Sequence, residues 1–154
     1  SSSSITRPVP VTRMASHLGH VHVIVSDLDR AISFYTDLLG LSVTEQQANY
    51  AFLSFGDHHH DLALQARPEA SSPPPNSRGL YHVAFELDTP AALRACYESL
   101  QERETEAQPV DHGISKSLYF DDPDGNGVEL YIDTRDDNGE QWNGENTQFD
   151  PMAL

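Results

Sequence analysis

Cysteine is nearly absent. Cys96 stands alone, so no disulfide can form within the chain, and a reducing, cytoplasmic compartment is the expected setting. Lysine is equally scarce, Lys116 being the only one. Against 9 Lys and Arg stand 24 Asp and Glu, a net charge of −15. Such a surface repels polyanions, which argues against nucleic acid or an anionic membrane as partner. No apolar run approaches the ~18 residues needed to span a bilayer. Ser1 to Ser16 lacks an apolar core and does not read as a signal peptide. An acid-rich, lysine-poor chain suits high salt, where carboxylates stay hydrated and their repulsion is screened. What is present is 154 residues, enough for one compact domain.

The chain divides by composition. Residues 1–16 are Ser-rich with two prolines and read as a flexible lead or a strand-like arm; residues 17–133 carry the hydrophobic periodicity; residues 134–154 are acidic and Asn- and Gly-rich. That last stretch reads as an irregular tail lying back on the body through Trp142 and Phe149. Residues 67–78 hold Ser71-Ser72-Pro73-Pro74-Pro75-Asn76, a stiff solvated linker between modules 17–66 and 79–133.

The two modules repeat one pattern. From His20 to Ser26, Val21, Val23 and Val25 alternate with His20, His22 and Ile24, as in a half-buried strand. Asp27 then N-caps a helix whose buried face is Leu28, Ala31, Ile32, Tyr35, Leu38 and Leu39, and Gly40 stops it. In the second module Val83, Phe85 and Leu87 alternate with His82, Ala84 and Glu86. Thr89 and Pro90 open a helix with Leu93, Cys96, Tyr97 and Leu100 on its apolar stripe. His20 precedes its helix cap by seven residues, and so does His82. Strands are expected over 41–48, 50–55 and 61–66, then over 107–111, 116–121 and 128–133. Asp122-Pro123-Asp124-Gly125-Asn126-Gly127 is hairpin-turn chemistry. The fold class is therefore α+β, with paired βαβββ modules forming a cupped, barrel-like mixed sheet.

His20, His82 and Glu129 are expected to point into that cup. A lone strand histidine is ordinarily a satisfied core or rim group. Two at matched repeat positions, with a carboxylate of matching direction, instead suit a two-histidine, one-carboxylate metal site with open coordination positions. His22 shares the parity of His20, but the repeat selects His20; His22 lines the cup or hydrogen-bonds nearby. In His58-His59-His60, adjacent side chains splay to alternating faces and cannot all meet one ion. Most of that tract reads as a solvated turn, with His60 entering the next strand on the face of Leu62 and Leu64. Cys96 reads as packing. Ser115 and Ser117 lie near His112 without a nucleophile elbow.

The stretches Leu18-Gly19-His20-Val21-His22-Val23, Phe34-Tyr35-Thr36-Asp37-Leu38-Leu39-Gly40-Leu41, Gly79-Leu80-Tyr81-His82-Val83-Ala84-Phe85 and Asp122-Pro123-Asp124-Gly125-Asn126-Gly127-Val128-Glu129-Leu130-Tyr131 resemble the vicinal oxygen chelate superfamily. It includes glyoxalase I, bleomycin and fosfomycin resistance proteins and extradiol dioxygenases. The likeness covers residues 17–133 and is strongest to single-module catechol 2,3-dioxygenase-like proteins. It implies the paired βαβββ fold and makes His20, His82 and Glu129 ligands of Fe(II), with Mn(II) or another divalent metal as alternative. It also implies that His60 is an acid–base group near bound oxygen, that Tyr119 hydrogen-bonds the substrate, and that His112 stands for a third family histidine. The implied partners are a small catechol and O₂, and the superfamily often forms homodimers.

Three rivals stay open. A glyoxalase I-like isomerase or epimerase ordinarily adds a fourth protein ligand from the first module, and no well-placed glutamate is evident there. A fosfomycin-type thiol transferase keeps a similar triad but needs basic residues for a phosphonate, for which Arg78 and Lys116 are thin evidence. A non-enzymatic drug-binding relative would dispense with the triad.

Overall fold

The computed structural model describes residues 13–154; the flexible lead expected over 1–16 falls largely outside them. The first module runs β1 (Val21–Val25), α1 (Leu28–Leu39), β2 (Ser42–Gln46), β3 (Tyr50–Ser54) and β4 (Leu62–Ala66). The second runs β5 (Val83–Glu86), α2 (Pro90–Glu102), β6 (Gln108–Asp111), β7 (Ser115–Asp121) and β8 (Gly127–Asp133). After them come a short α3 (Arg135–Asn138) and a 3-10 turn over Pro151–Ala153. Both long helices begin where local chemistry dictates: the Asp27 side chain accepts from the Arg30 amide and that of Thr89 from the Ala92 amide. Gly40 ends α1 at φ 76°, a left-handed conformation that glycine adopts without a Cβ penalty.

Each module forms its own four-stranded sheet, in the orders β1-β4-β3-β2 and β5-β8-β7-β6. The first pair in each is parallel and the others are antiparallel. The registers match across the repeat. One row of paired residues in the first sheet is His22, Ala63, Phe52 and Glu45, and the equivalent row in the second is Ala84, Glu129, Tyr119 and Gln108. The opposite faces carry Val23, Val25, Leu53, Leu62 and Leu64, or Phe85, Leu118, Phe120, Leu130 and Ile132. These join the helices in one continuous hydrophobic cluster.

Phe34 corrects the expected helix stripe. It is buried where Ile32 and Leu39 are only partly so, because α1 packs against the second module as well, with the Phe34 and Phe120 rings 6.2 Å apart. The tail is also more ordered than expected: Phe149 packs against the core under Lys116, whereas Trp142 stays 53% exposed and does not anchor it. No helix among the described residues is long and apolar enough to cross a membrane.

Asp122 ties the β7–β8 turn to α1. Its Oδ1 accepts from the Asp124 and Asn126 amides, both at 2.9 Å, and its Oδ2 accepts from the Tyr35 hydroxyl at 2.8 Å. Burial, then the charge of Asp122, pushes the Tyr35 hydroxyl far above the usual tyrosine range, so it stays a donor. Asp122→Ala would strand that buried hydroxyl and both turn amides. A loss of about 3 kcal/mol is expected in urea unfolding, against about 1 kcal/mol for Tyr35→Phe.

Candidate metal centre

β5 and β8 run parallel in a register that sets Ala84 beside Glu129. His82, just ahead of β5, thereby brings its Nε2 to 2.9 Å from Glu129 Oε1. The second carboxylate oxygen accepts from Ser117 Oγ at 2.7 Å, and Ser117 is fully buried. Across the sheet Tyr119 pairs with Glu129, and its hydroxyl lies 2.7 Å from His112 Nε2. Burial, then the Glu129 charge, pushes the Tyr119 hydroxyl up to about 12, so it is protonated at neutral pH. His112 Nδ1 donates to Asn146 Oδ1 at 2.6 Å. A cavity of about 1330 Å³ opens beside His82, Tyr119, His112 and Asn146.

The first module contributes a different cluster. His20 precedes β1 and His60 precedes β4, and their ring centroids are 4.5 Å apart. His60 also packs on Phe52 at 4.6 Å. This corrects the expected face of His60: β4 begins at Leu62, so alternation does not extend back to residue 60, and the ring leaves the core face taken by Leu62 and Leu64. Desolvation, then the neighbouring His20, lowers the His60 pKa and favours its neutral form. His59 bridges His60 Nδ1, at 2.9 Å, to Glu45 Oε1, at 3.2 Å. His22 is held by Gln65 at 2.9 Å.

Within the chain these clusters do not merge. Among the described residues no three His, Cys, Asp or Glu side chains converge as a metal site would require. The expected triad is thus divided into His82 with Glu129 in one module and His20 with His60 in the other. Two donors bound to one divalent ion at ~2.1 Å each lie about 3 Å apart when adjacent, so the 2.9 Å separation suits a shared ion. An imidazole and a carboxylate braced by a buried hydroxyl are also an appropriate donor set for Fe(II), Mn(II) or Zn(II).

A sequence model of the Glyoxalase/Bleomycin resistance protein/Dioxygenase superfamily matches residues 17–130. The chain belongs to this superfamily. It is 35% identical to biphenyl-2,3-diol 1,2-dioxygenase 2 of Rhodococcus globerulus, over 88% of this chain and 77% of that protein. It is 32% identical to the metallothiol transferase FosB of Staphylococcus epidermidis, over 86% of this chain and 92% of that protein. Among solved structures, a glyoxalase/dioxygenase from Nostoc punctiforme aligns with a TM-score of 0.60 at 25% identity, covering 86% of this chain and 99% of that one. The α+β fold of paired modules is accordingly that of the superfamily.

Two residues of the site carried no recognised role in the sequence. Ser117 reads from the sequence only as a possible nucleophile, although its alternation with Tyr119 in β7 puts it on the face of Glu129. Asn146 lies 34 residues beyond His112 in a segment without periodicity, and no sequence pattern joins them. Gly127 is a further support. A Cβ there would collide with the Tyr81 carbonyl and crowd His82. Gly127→Ala is expected to lower stability by about 1–3 kcal/mol and weaken metal retention by displacing His82. Thermal melting and metal titration of the variant check both.

Proposed function

We propose that this protein is a divalent-metal-dependent extradiol dioxygenase that opens the ring of a small catechol next to its diol. His82, Glu129 and His20 are the ligands, and Fe(II) or Mn(II) the ion. The observation that carries the reading is the convergence of His82 and Glu129 at 2.9 Å beside the Tyr119–His112 pair, on a cavity that no lysine or arginine among the described residues lines. Apart from the ion itself, a phosphonate substrate would find no cationic side chain among those lining residues, which favours a catechol over a thiol-transferase substrate.

His82, Glu129 and His20 would hold an ion whose open positions would bring a catechol and O₂ together and let electron density pass between them. With His112 Nδ1 bound to the Asn146 carbonyl oxygen, the Tyr119 hydroxyl donates a hydrogen bond to His112 Nε2, and its oxygen can accept one from a catechol hydroxyl. His60, neutral near pH 7, takes a proton from the substrate and returns it. The reaction breaks one ring carbon–carbon bond and places both atoms of O₂ in the product. It consumes no external reductant.

Because His20 stands apart from His82 and Glu129 within the chain, the reading includes a second copy that completes each site. Leu18 and Leu80 occupy matching positions two residues before His20 and His82, and both are exposed, at 81% and 73%, as is Tyr81 at 88%. Such apolar rims beside two half-sites suit burial between copies of this chain. A reducing cytoplasm keeps both Fe(II) and Cys96 in their reduced forms.

Oxygen uptake by anaerobically Fe(II)-loaded protein in high salt, with a panel of catechols, tests the proposal. Stoichiometric uptake with a coloured ring-opened product is the expected result. Metal binding without oxygen consumption, together with thiol consumption in the presence of a phosphonate epoxide, would transfer the site to the transferase reading.

A further inference from the structure

The C-terminal segment reaches the site by an ordered route. The Glu145 amide donates to Asn143 Oδ1 at 2.9 Å, forming a tight turn. Asp111 and Thr147 then exchange two backbone hydrogen bonds, at 2.7 and 3.0 Å, adding an isolated bridge to the edge strand β6. Beyond it Phe149 lies against Lys116, and Asp150 caps the terminal turn, whose Pro151 is buried. Asn146 is therefore fixed from both sides, and its Oδ1 meets His112 Nδ1 at 2.6 Å.

That contact has a chemical consequence. A carbonyl oxygen only accepts, so the proton of a neutral His112 ring must sit on Nδ1. Nε2 is then the lone-pair nitrogen, and the 2.7 Å contact with Tyr119 must run from the tyrosine hydroxyl to the histidine. The Tyr119 oxygen, which also lies within hydrogen-bonding reach of Ser117 and Glu129, is then left as an acceptor beside the cavity that Tyr119 and His82 line. In the opposite tautomer His112 would donate to Tyr119, and the hydroxyl proton would have to point elsewhere.

We propose that Asn146 is a positioning residue, which selects the Nδ1–H tautomer of His112 and so sets the direction of the hydrogen bond from Tyr119. The inference rests on the dioxygenase reading for its effect on turnover, but the tautomer itself does not depend on that reading. Asn146 is exposed, so its replacement leaves the core untouched and melting should shift by no more than about 2 °C.

The test uses the full chain at pH 8.5, where unperturbed imidazoles are neutral. Long-range ¹H–¹⁵N spectra report each ring's tautomer, and the His112→Gln variant identifies the His112 signals. Wild type should show Nδ1–H, the less common form of a free imidazole. Asn146→Leu should revert largely to Nε2–H, whereas Asn146→Asp, which keeps an acceptor oxygen in place, should retain Nδ1–H. Nε2–H in the wild type, or an unchanged tautomer in Asn146→Leu, overturns the proposal.

With metal-loaded protein and a catechol, Asn146→Leu should lose about 10-fold in kcat with little change in KM, and Asn146→Asp should recover most of the loss. Wild-type kcat in Asn146→Leu would remove the functional half of the proposal. If the wild type turns over no catechol, the dioxygenase reading fails, and the tautomer spectra alone decide the role of Asn146.

Discussion

Glu129→Gln is expected to empty the metal centre while leaving the fold intact. Glutamine matches glutamate in volume, and the site is a strand position whose backbone pairs with Ala84 and Tyr119 are untouched. What disappears is the negative charge, the only one among the three proposed ligands. A divalent ion loses most of its electrostatic attraction there, and a neutral amide is a poor substitute for a carboxylate. Changes to groups that merely support a ligand cost about 10–100-fold in metal affinity, so loss of the charged ligand should exceed the upper end of that range. Elemental analysis after dialysis should find less than about a tenth of the wild-type metal content, with catechol turnover reduced in proportion. Ser117→Ala should fall between: Glu129 Oε2 loses its buried partner, metal binds more weakly, and turnover returns when metal is in excess. Unchanged metal content in Glu129→Gln would remove Glu129 from the site.

The second large effect concerns the divided triad. If each centre takes His20 from one chain and His82 with Glu129 from another, His20→Ala and Glu129→Gln damage opposite halves. Each variant alone is inactive. When the two are unfolded together and refolded, a mixed dimer contains one site with both defects and one with none. Random pairing makes half of all dimers mixed, so about a quarter of wild-type turnover should return. The His82→Ala and Glu129→Gln pair damages the same half and should recover nothing, which controls for nonspecific rescue. Failure of the first pair to recover would mean that His20 joins His82 and Glu129 within one chain, through a rearrangement of the two modules.

Much of this organisation is legible in the chain itself, because the repeat writes the same local signals twice. Asp27 and Thr89 cap equivalent helices at equal distances from His20 and His82, and both caps form as their side-chain chemistry dictates. Alternation in β8 alone puts Glu129 opposite Val128 and Leu130. What was not legible arises from contacts between distant segments. Phe34 is buried by the second module and not by its own sheet, so a helical period drawn from one module omits it. His60 follows the loop rather than the alternation of β4, since the strand starts two residues later. The division of the triad is a property of how the modules pack, and strand parity carries no information about that. Ser117 and Asn146 are hidden in the sequence for opposite reasons: a serine on a strand suggests a nucleophile before a carboxylate brace, and Asn146 lies in a stretch with no pattern at all.

Catechol cleavage is most directly tested by supplying ¹⁸O₂ to the Fe(II)-loaded wild-type protein with the best catechol and weighing the product. The account predicts a ring-opened product carrying both labelled atoms, formed with one O₂ consumed per ring and abolished in Glu129→Gln. A product with a single labelled atom, or consumption of the catechol to an unlabelled quinone, would contradict it.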